Sequence, residues 1–320
     1  CFPVIRLGLH SLFAPVRAMA DVPTVTCLDG STMPQLAFGL YLIPRDQTYA
    51  ATRAALAAGY RHFDSASFYD NEAESGAALR AWLAEGHERS ELYVTTKVWT
   101  TDLTDGAAAL RSATISVEEL GLGAVDLIMV HWPVPGKHAE CYQALEPLVQ
   151  AGKTKALGIS NYSPADYEEL MKVATVPPQV NTFEVNPFLF RKAWIDFFQE
   201  KGVIVQAYKP LQRGGAVLGN DVVGAVAERL GKSTAQVCIR WAVQKGLVVL
   251  VKSTKPERMA ENLAVCNFEL TSEDIAGMDG LTTDEALQTA QSHYEKRRGG
   301  TPAPWGEGPR PEGREAAAAA

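Results

Sequence analysis

Short apolar runs rich in β-branched and aromatic residues recur along the chain, separated by longer stretches whose apolar positions fall three and four apart. Eight such runs stand out: LAFGLY (36–41), RHFDSA (61–66), LYVTTK (92–97), DLIMVH (126–131), ALGISN (156–161), VNTFEV (180–185), VIVQAY (203–208) and LVVLVK (247–252). The segments 46–58, 73–85, 104–119, 139–151, 164–174 and 222–244 carry the helical spacing. Strands alternating with helices lie parallel, because each helical crossover returns the chain to the same end of the sheet. This pattern predicts an α/β fold, a single (β/α)8 TIM barrel, which takes about 250 residues. Ahead of the first run, Asp29-Gly30 stands between two short β-prone pieces. That pair favours a tight turn, so an N-terminal β-hairpin is expected to plug one end of the barrel. A doubly wound dinucleotide-binding sheet would call instead for Gly-x-Gly-x-x-Gly after a strand. GLGAVD (121–126) holds only the first two of those glycines and precedes its strand.

Barrel enzymes build their sites at the C-terminal ends of the strands. Here those ends read Gly39 with Tyr41, Asp64 with Tyr69 just beyond, Lys97, His131, Ser160 with Asn161, Glu184 with Asn186, Tyr208, and Lys252. Each polar group there costs free energy unless it is paired, so a ring of them at one mouth points to chemistry. A tyrosine ordinarily titrates near pH 10 and gives up its proton more readily beside an ammonium. Lys97 can supply that charge, Asp64 can hold it protonated, and the His131 imidazole can align a substrate oxygen. The set delivers a proton to a carbonyl or alkoxide oxygen. None of its members donates a hydride, so a reduction would need a nicotinamide cofactor. Taken singly, each residue has a plainer reading: Asp64 or Asn161 as a helix cap, His131 as a core histidine, Tyr208, Tyr41, Trp99 and Trp132 as packing. Glu184 suits a buried hydrogen-bonding role, and Arg61 and His62 a supporting one.

The stretches GYRHFDSASFYDNE (59–72), VTTKVW (94–99), MVHWP (129–133), GISNY (158–162) and VKSTKPERMAENL (251–263) resemble the signatures of the aldo-keto reductase superfamily, in its order and spacing. The resemblance covers about residues 23–281 and implies a catalytic tetrad of Asp64, Tyr69, Lys97 and His131, with NADPH as cofactor. It implies that Ser160 and Asn161 hold the carboxamide with Thr182, that Tyr208 stacks on the nicotinamide, and that Gly39 and Leu40 approach the cofactor by their backbone. Lys209 and Leu211 follow the stacking tyrosine and belong to the same set. Lys252, Ser253, Thr254, Arg258, Glu261 and Asn262 match the surroundings of the adenosine 2'-phosphate. An ammonium and a guanidinium beside two hydroxyls suit a dianionic phosphate. Tyr41, Trp99 and Trp132 match the aromatic substrate pocket, and the short connection HWPVPGKHAECY, from His131 at the end of the fourth run to the next helix, is expected to leave that pocket open. The chain departs from the family pattern at four positions. Thr182 stands where glutamine is common, a change expected to leave one hydrogen bond to water; Leu40 replaces threonine, Lys209 replaces serine, and Val251 replaces proline.

Composition narrows the choice of function. The 320 residues are 47% hydrophobic and 21% charged, and no stretch is apolar enough to span a membrane. A net charge of -7 argues against nucleic acid as partner. The five cysteines lack Cys-x-x-Cys spacing and read as free thiols. No Gly-x-Ser-x-Gly or His-Glu-x-x-His is present, so hydrolase and metal chemistry are not indicated. Residues 1–20 hold Arg6 and Arg17 but no acidic residue, which suits either a leader or transit segment or upstream sequence ahead of Met19. The domain reading is a barrel over 21–285 followed by an extension, 286–320, whose Pro- and Gly-rich end is expected to be partly disordered; any ordered part of 282–310, Trp305 included, is expected to cover the barrel mouth. A soluble monomer acting on a small carbonyl substrate is expected, in the cytoplasm or in a plastid or mitochondrion if the leader is genuine. Two rival readings are a non-catalytic NADPH-binding barrel and a Schiff-base lyase using Lys97, Lys209 or Lys252.

Overall fold

The computed structural model describes residues 22–298, so the expected leader and the end of the expected extension lie outside the described residues. Strands β1 (Thr24–Thr26) and β2 (Thr32–Pro34) form an antiparallel hairpin. Eight strands follow: β3 (Leu36–Gly39), β4 (His62–Asp64), β5 (Tyr93–Val98), β6 (Val125–Val130), β7 (Thr154–Ser160), β8 (Val180–Glu184), β9 (Ile204–Tyr208) and β10 (Val248–Val251). They pair in parallel and close on themselves, β10 lying between β9 and β3. This is the (β/α)8 barrel. Its strands are buried on both faces, by side chains within and helices without, which is why they read as nearly unbroken apolar runs.

The helices are α1 (Arg45–Ala58), α2 (Glu72–Ala84), α3 (Gly106–Leu120), α4 (His138–Gln150), α5 (Pro164–Leu170), α6 (Lys192–Glu200), α7 (Asp221–Leu230), α8 (Thr234–Gln244), α9 (Pro256–Leu263), α10 (Ser272–Asp279) and α11 (Asp284–Arg298). The helical segment expected over 222–244 is two helices. Gly231 takes a left-handed φ of 60° and ends α7, and the Ser233 hydroxyl accepts from the Gln236 N–H to begin α8. The segment expected over 164–174 ends as a helix at Leu170.

The hairpin closes the N-terminal end of the barrel. Asp29 accepts from the Ser31 N–H at 3.0 Å and hydroxyl at 2.6 Å, which fixes the turn. Met33 is fully buried and packs with Tyr93, Val180 and Val248, which open their strands. The other end is therefore left to hold the site.

Candidate active site

Four side chains meet at the open mouth. Asp64 ends β4, Lys97 lies near the end of β5, His131 follows β6, and Tyr69 ends a short 3-10 turn over Ser67–Tyr69. The Lys97 ammonium donates to Asp64 Oδ1 at 2.5 Å, to the Ser65 carbonyl at 2.8 Å and to the Tyr69 hydroxyl oxygen at 3.4 Å. These contacts give each of its three N–H groups an acceptor. Both charged side chains are only 2% exposed. Burial pushes the Asp64 carboxyl up and the Lys97 ammonium down from their ordinary values, and each charge opposes that effect on the other. Burial, followed by the Lys97 charge, holds His131 well below the usual histidine range, so its imidazole is neutral near pH 7.

The ring of His131 lies edge-on to Tyr69 at 5.8 Å and to Trp99 at 4.8 Å. Tyr41 packs on Tyr69 at 5.0 Å. Trp132 is buried, with the Arg297 guanidinium 5.5 Å above its ring. All three expected pocket aromatics therefore reach the mouth or its rim. Phe68, which sequence reasoning passed over, stacks on Trp99 at 4.0 Å, and the Ser67 hydroxyl accepts from the Trp99 N–H to hold that contact.

On the opposite side, Asn161 adopts a left-handed φ of 61°, a conformation asparagine tolerates better than most residues. Its amide donates to the His131 carbonyl at 3.1 Å and to Ser160 Oγ at 3.0 Å, and its oxygen accepts from the Tyr208 hydroxyl at 2.8 Å. Burial, then the Glu184 charge, pushes the Tyr208 phenol up, so it is a poor acid. Thr182 donates to Gln206 Oε1 at 3.1 Å. Lys209 pairs with Glu184 at 2.9 Å, and Leu211 is half-buried beyond it. Gly39 and Leu40 are buried at the end of β3, where the Asn71 amide donates to the carbonyls of Leu40 and Ile43 and fixes the loop.

Lys252, Thr254 and Arg258 are exposed at the end of β10 and the start of α9, around buried Ser253 and Asn262. Among the described residues, neither Lys252 nor Arg258 has a carboxylate partner. Glu261, expected in the same cluster, accepts a bond from the Ser233 hydroxyl. Arg61 donates to the carbonyls of Leu56 and Tyr60, and His62 contacts the Pro34 carbonyl at 3.1 Å; both support the barrel.

Helix α11 lies against the mouth. With Trp132, Asn161, Arg191 and Tyr208 it lines a cavity of about 400 Å³, to which it contributes His293, Tyr294 and Arg297 among others. Buried Asp166, near the start of α5, anchors it, accepting from the Tyr294 hydroxyl and pairing with Arg298 at 2.7 Å. Trp305, a further candidate for covering the mouth, lies outside the described residues. No described helix is long and apolar enough to cross a membrane.

Residues 36–283 match the Aldo/keto reductase family. An aldo-keto reductase of Mycolicibacterium smegmatis is 37% identical over 267 residues, covering 83% of this chain and 95% of that protein. A glyoxal reductase of Bacillus subtilis is 36% identical over 265 residues, covering 82% and 94%. The structure of a Gox0644 variant in complex with NADPH superposes with a TM-score of 0.77 at 32% identity, covering 82% and 95%. With the closed barrel and its mouth described above, these likenesses establish that the chain belongs to the aldo/keto reductase family of oxidoreductases.

Proposed function

We propose that this protein reduces aldehydes or ketones to alcohols with NADPH, using Tyr69 as the general acid. The observation that carries this reading is the buried Lys97 ammonium, held between the Asp64 carboxylate and the Tyr69 hydroxyl oxygen at the barrel mouth. A cation donating to a phenol oxygen stabilises the phenolate and so makes its proton easier to give away. The neutral His131 imidazole can donate a hydrogen bond to the substrate oxygen and leave proton transfer to Tyr69. As the carbonyl carbon is reduced, negative charge gathers on its oxygen, and the Tyr69 proton moves there. Asp64 keeps the lysine charged and aimed.

Bound NADPH would supply the hydride. The chain fits that cofactor: Lys252 and Arg258 lack carboxylate partners among the described residues and stand beside the Ser253 and Thr254 hydroxyls, as a dianionic 2'-phosphate requires. Tyr208 and Asn161, bonded to each other, would form the nicotinamide platform. The NADPH complex of a similar protein and the name of the similar glyoxal reductase support the same cofactor and substrate class. Tight fixing of Lys97 by three acceptors weighs against its use as a Schiff-base nucleophile, which needs a free lone pair.

The test is NADPH oxidation, followed by absorbance, with aromatic, aliphatic, sugar and dicarbonyl substrates, run beside NADH. Turnover that favours NADPH is expected. Cofactor binding without turnover across the panel would move the reading to a non-catalytic barrel.

A further inference from the structure

A polar side chain in the interior of a barrel strand needs partners, and Gln206 lacks one. It sits in the middle of β9 between apolar neighbours and is fully buried. The register sets Gln206 beside Thr182, and Thr182 beside Ser160, so three buried polar residues form one row across β9, β8 and β7. Thr182 Oγ1 donates to Gln206 Oε1 at 3.1 Å and so fixes the amide by its carbonyl end. The Nε2 end has no acceptor among the described residues. A buried amide N–H without an acceptor carries its whole desolvation penalty, so such a group in a native fold calls for an explanation.

Its location supplies one. Tyr208, two residues along β9 and so on the same face of the strand, lines the mouth cavity. Asn161 follows Ser160, lines the same cavity and is bonded to Tyr208 at 2.8 Å. The row of Ser160, Thr182 and Gln206 therefore lies one step below the Asn161 and Tyr208 platform, and its unmatched donor suits an acceptor brought by a ligand seated on that platform.

We infer that Gln206 is a positioning residue for the cofactor: its Nε2 donates to the carboxamide oxygen of the nicotinamide, while Thr182 braces the Gln206 amide from the adjacent strand. The inference rests on the NADPH reading above. It also gives Thr182 a role. The threonine alone is too short to hold the carboxamide and was expected to leave a bond to water; here the amide comes from one strand over.

The test uses the full chain and three ligands, titrated by calorimetry without any turnover: NADP+, its thionicotinamide analogue with sulfur in place of the carboxamide oxygen, and adenosine 2',5'-bisphosphate, which has no nicotinamide. Sulfur is a weak acceptor, so the native protein should bind NADP+ about threefold to tenfold more tightly than the analogue, the worth of one neutral hydrogen bond. Gln206→Leu and Gln206→Met should lose that discrimination by weakening NADP+ alone, with the bisphosphate unchanged. The exchanged pair Thr182→Gln with Gln206→Thr should restore it, and this arm remains informative if the single variants fold poorly. Retained discrimination in Gln206→Leu or Gln206→Met would overturn the inference, as would no discrimination in the native protein, or equal losses for all three ligands. A native protein that binds the bisphosphate and NADP+ but shows no such dependence on Gln206 refutes only this inference; one that binds neither refutes the NADPH reading itself.

Discussion

Tyr69→Phe separates chemistry from architecture. The phenyl ring keeps its packing against Tyr41 at 5.0 Å and His131 at 5.8 Å, so the substitution removes one oxygen and leaves the pocket wall in place. The oxygen's structural contribution is small, because its bond from Lys97 is long, at 3.4 Å, and Tyr69 is only half-buried. A typical neutral bond contributes about 0.5–1.5 kcal/mol, and a long one sits at or below the low end. For a chain of this size that lowers the melting temperature by no more than about 1–2 °C. The catalytic contribution is much larger. A positioned general acid is worth about 100-fold to 10,000-fold in rate, or about 2.7–5.5 kcal/mol of barrier. The assay is kcat for carbonyl reduction beside calorimetric NADPH binding and thermal melting of the same preparation. Expected is a loss of kcat of at least about 100-fold with binding and melting nearly unchanged. A kcat within a few-fold of the native value would refute the assignment of Tyr69, whatever the melting temperature.

Three further outcomes follow from the same geometry. In Asp64→Asn, Lys97 loses the charge that opposes burial, so its pKa falls further and the alkaline limb of kcat for reduction moves to lower pH; an unmoved or raised limb would contradict the pairing. The stability deficit of that variant should be largest where Lys97 must stay charged and should shrink as pH rises towards the ordinary lysine range, because the unfolded chain then binds more protons than the folded one. Lys252→Ala with Arg258→Ala should raise KM for NADPH far more than KM for NADH, and equal effects would remove the phosphate role. Tyr294→Ala should loosen α11 from Asp166 and speed tryptic cleavage at Lys296, Arg297 and Arg298, whereas unchanged cleavage would mean that the helix is held by other contacts.

Much of this arrangement could be read from the sequence, for reasons visible in single residues. The barrel strands showed themselves because apolar runs ended in polar residues such as Asp64, Lys97 and Ser160, and hairpin chemistry at Asp29-Gly30 marked the plug. Gly231 followed by Ser233 held the signal for the break between α7 and α8, a left-handed C-cap before a capping hydroxyl, but continuous apolar spacing on either side obscured it. Helix α11 was illegible as a packed element because it is polar almost all round, and only Tyr294 among its residues is buried. Phe68 could not be placed because its contact with Trp99 depends on the 3-10 turn before Tyr69. Gln206 was visible as the one amide in an apolar strand, yet its meaning depends on the cross-strand register that sets it beside Thr182.

The central claim is direct transfer of a hydride to a carbonyl carbon with a proton from the protein to its oxygen. It is tested most directly by incubating the protein with NADPH deuterated at both positions of nicotinamide C4 and a simple aldehyde in ordinary water, then analysing the alcohol by mass spectrometry and proton NMR. The account predicts one deuterium on the carbinol carbon of essentially every product molecule; alcohol without deuterium, or no alcohol while cofactor is bound, would contradict it.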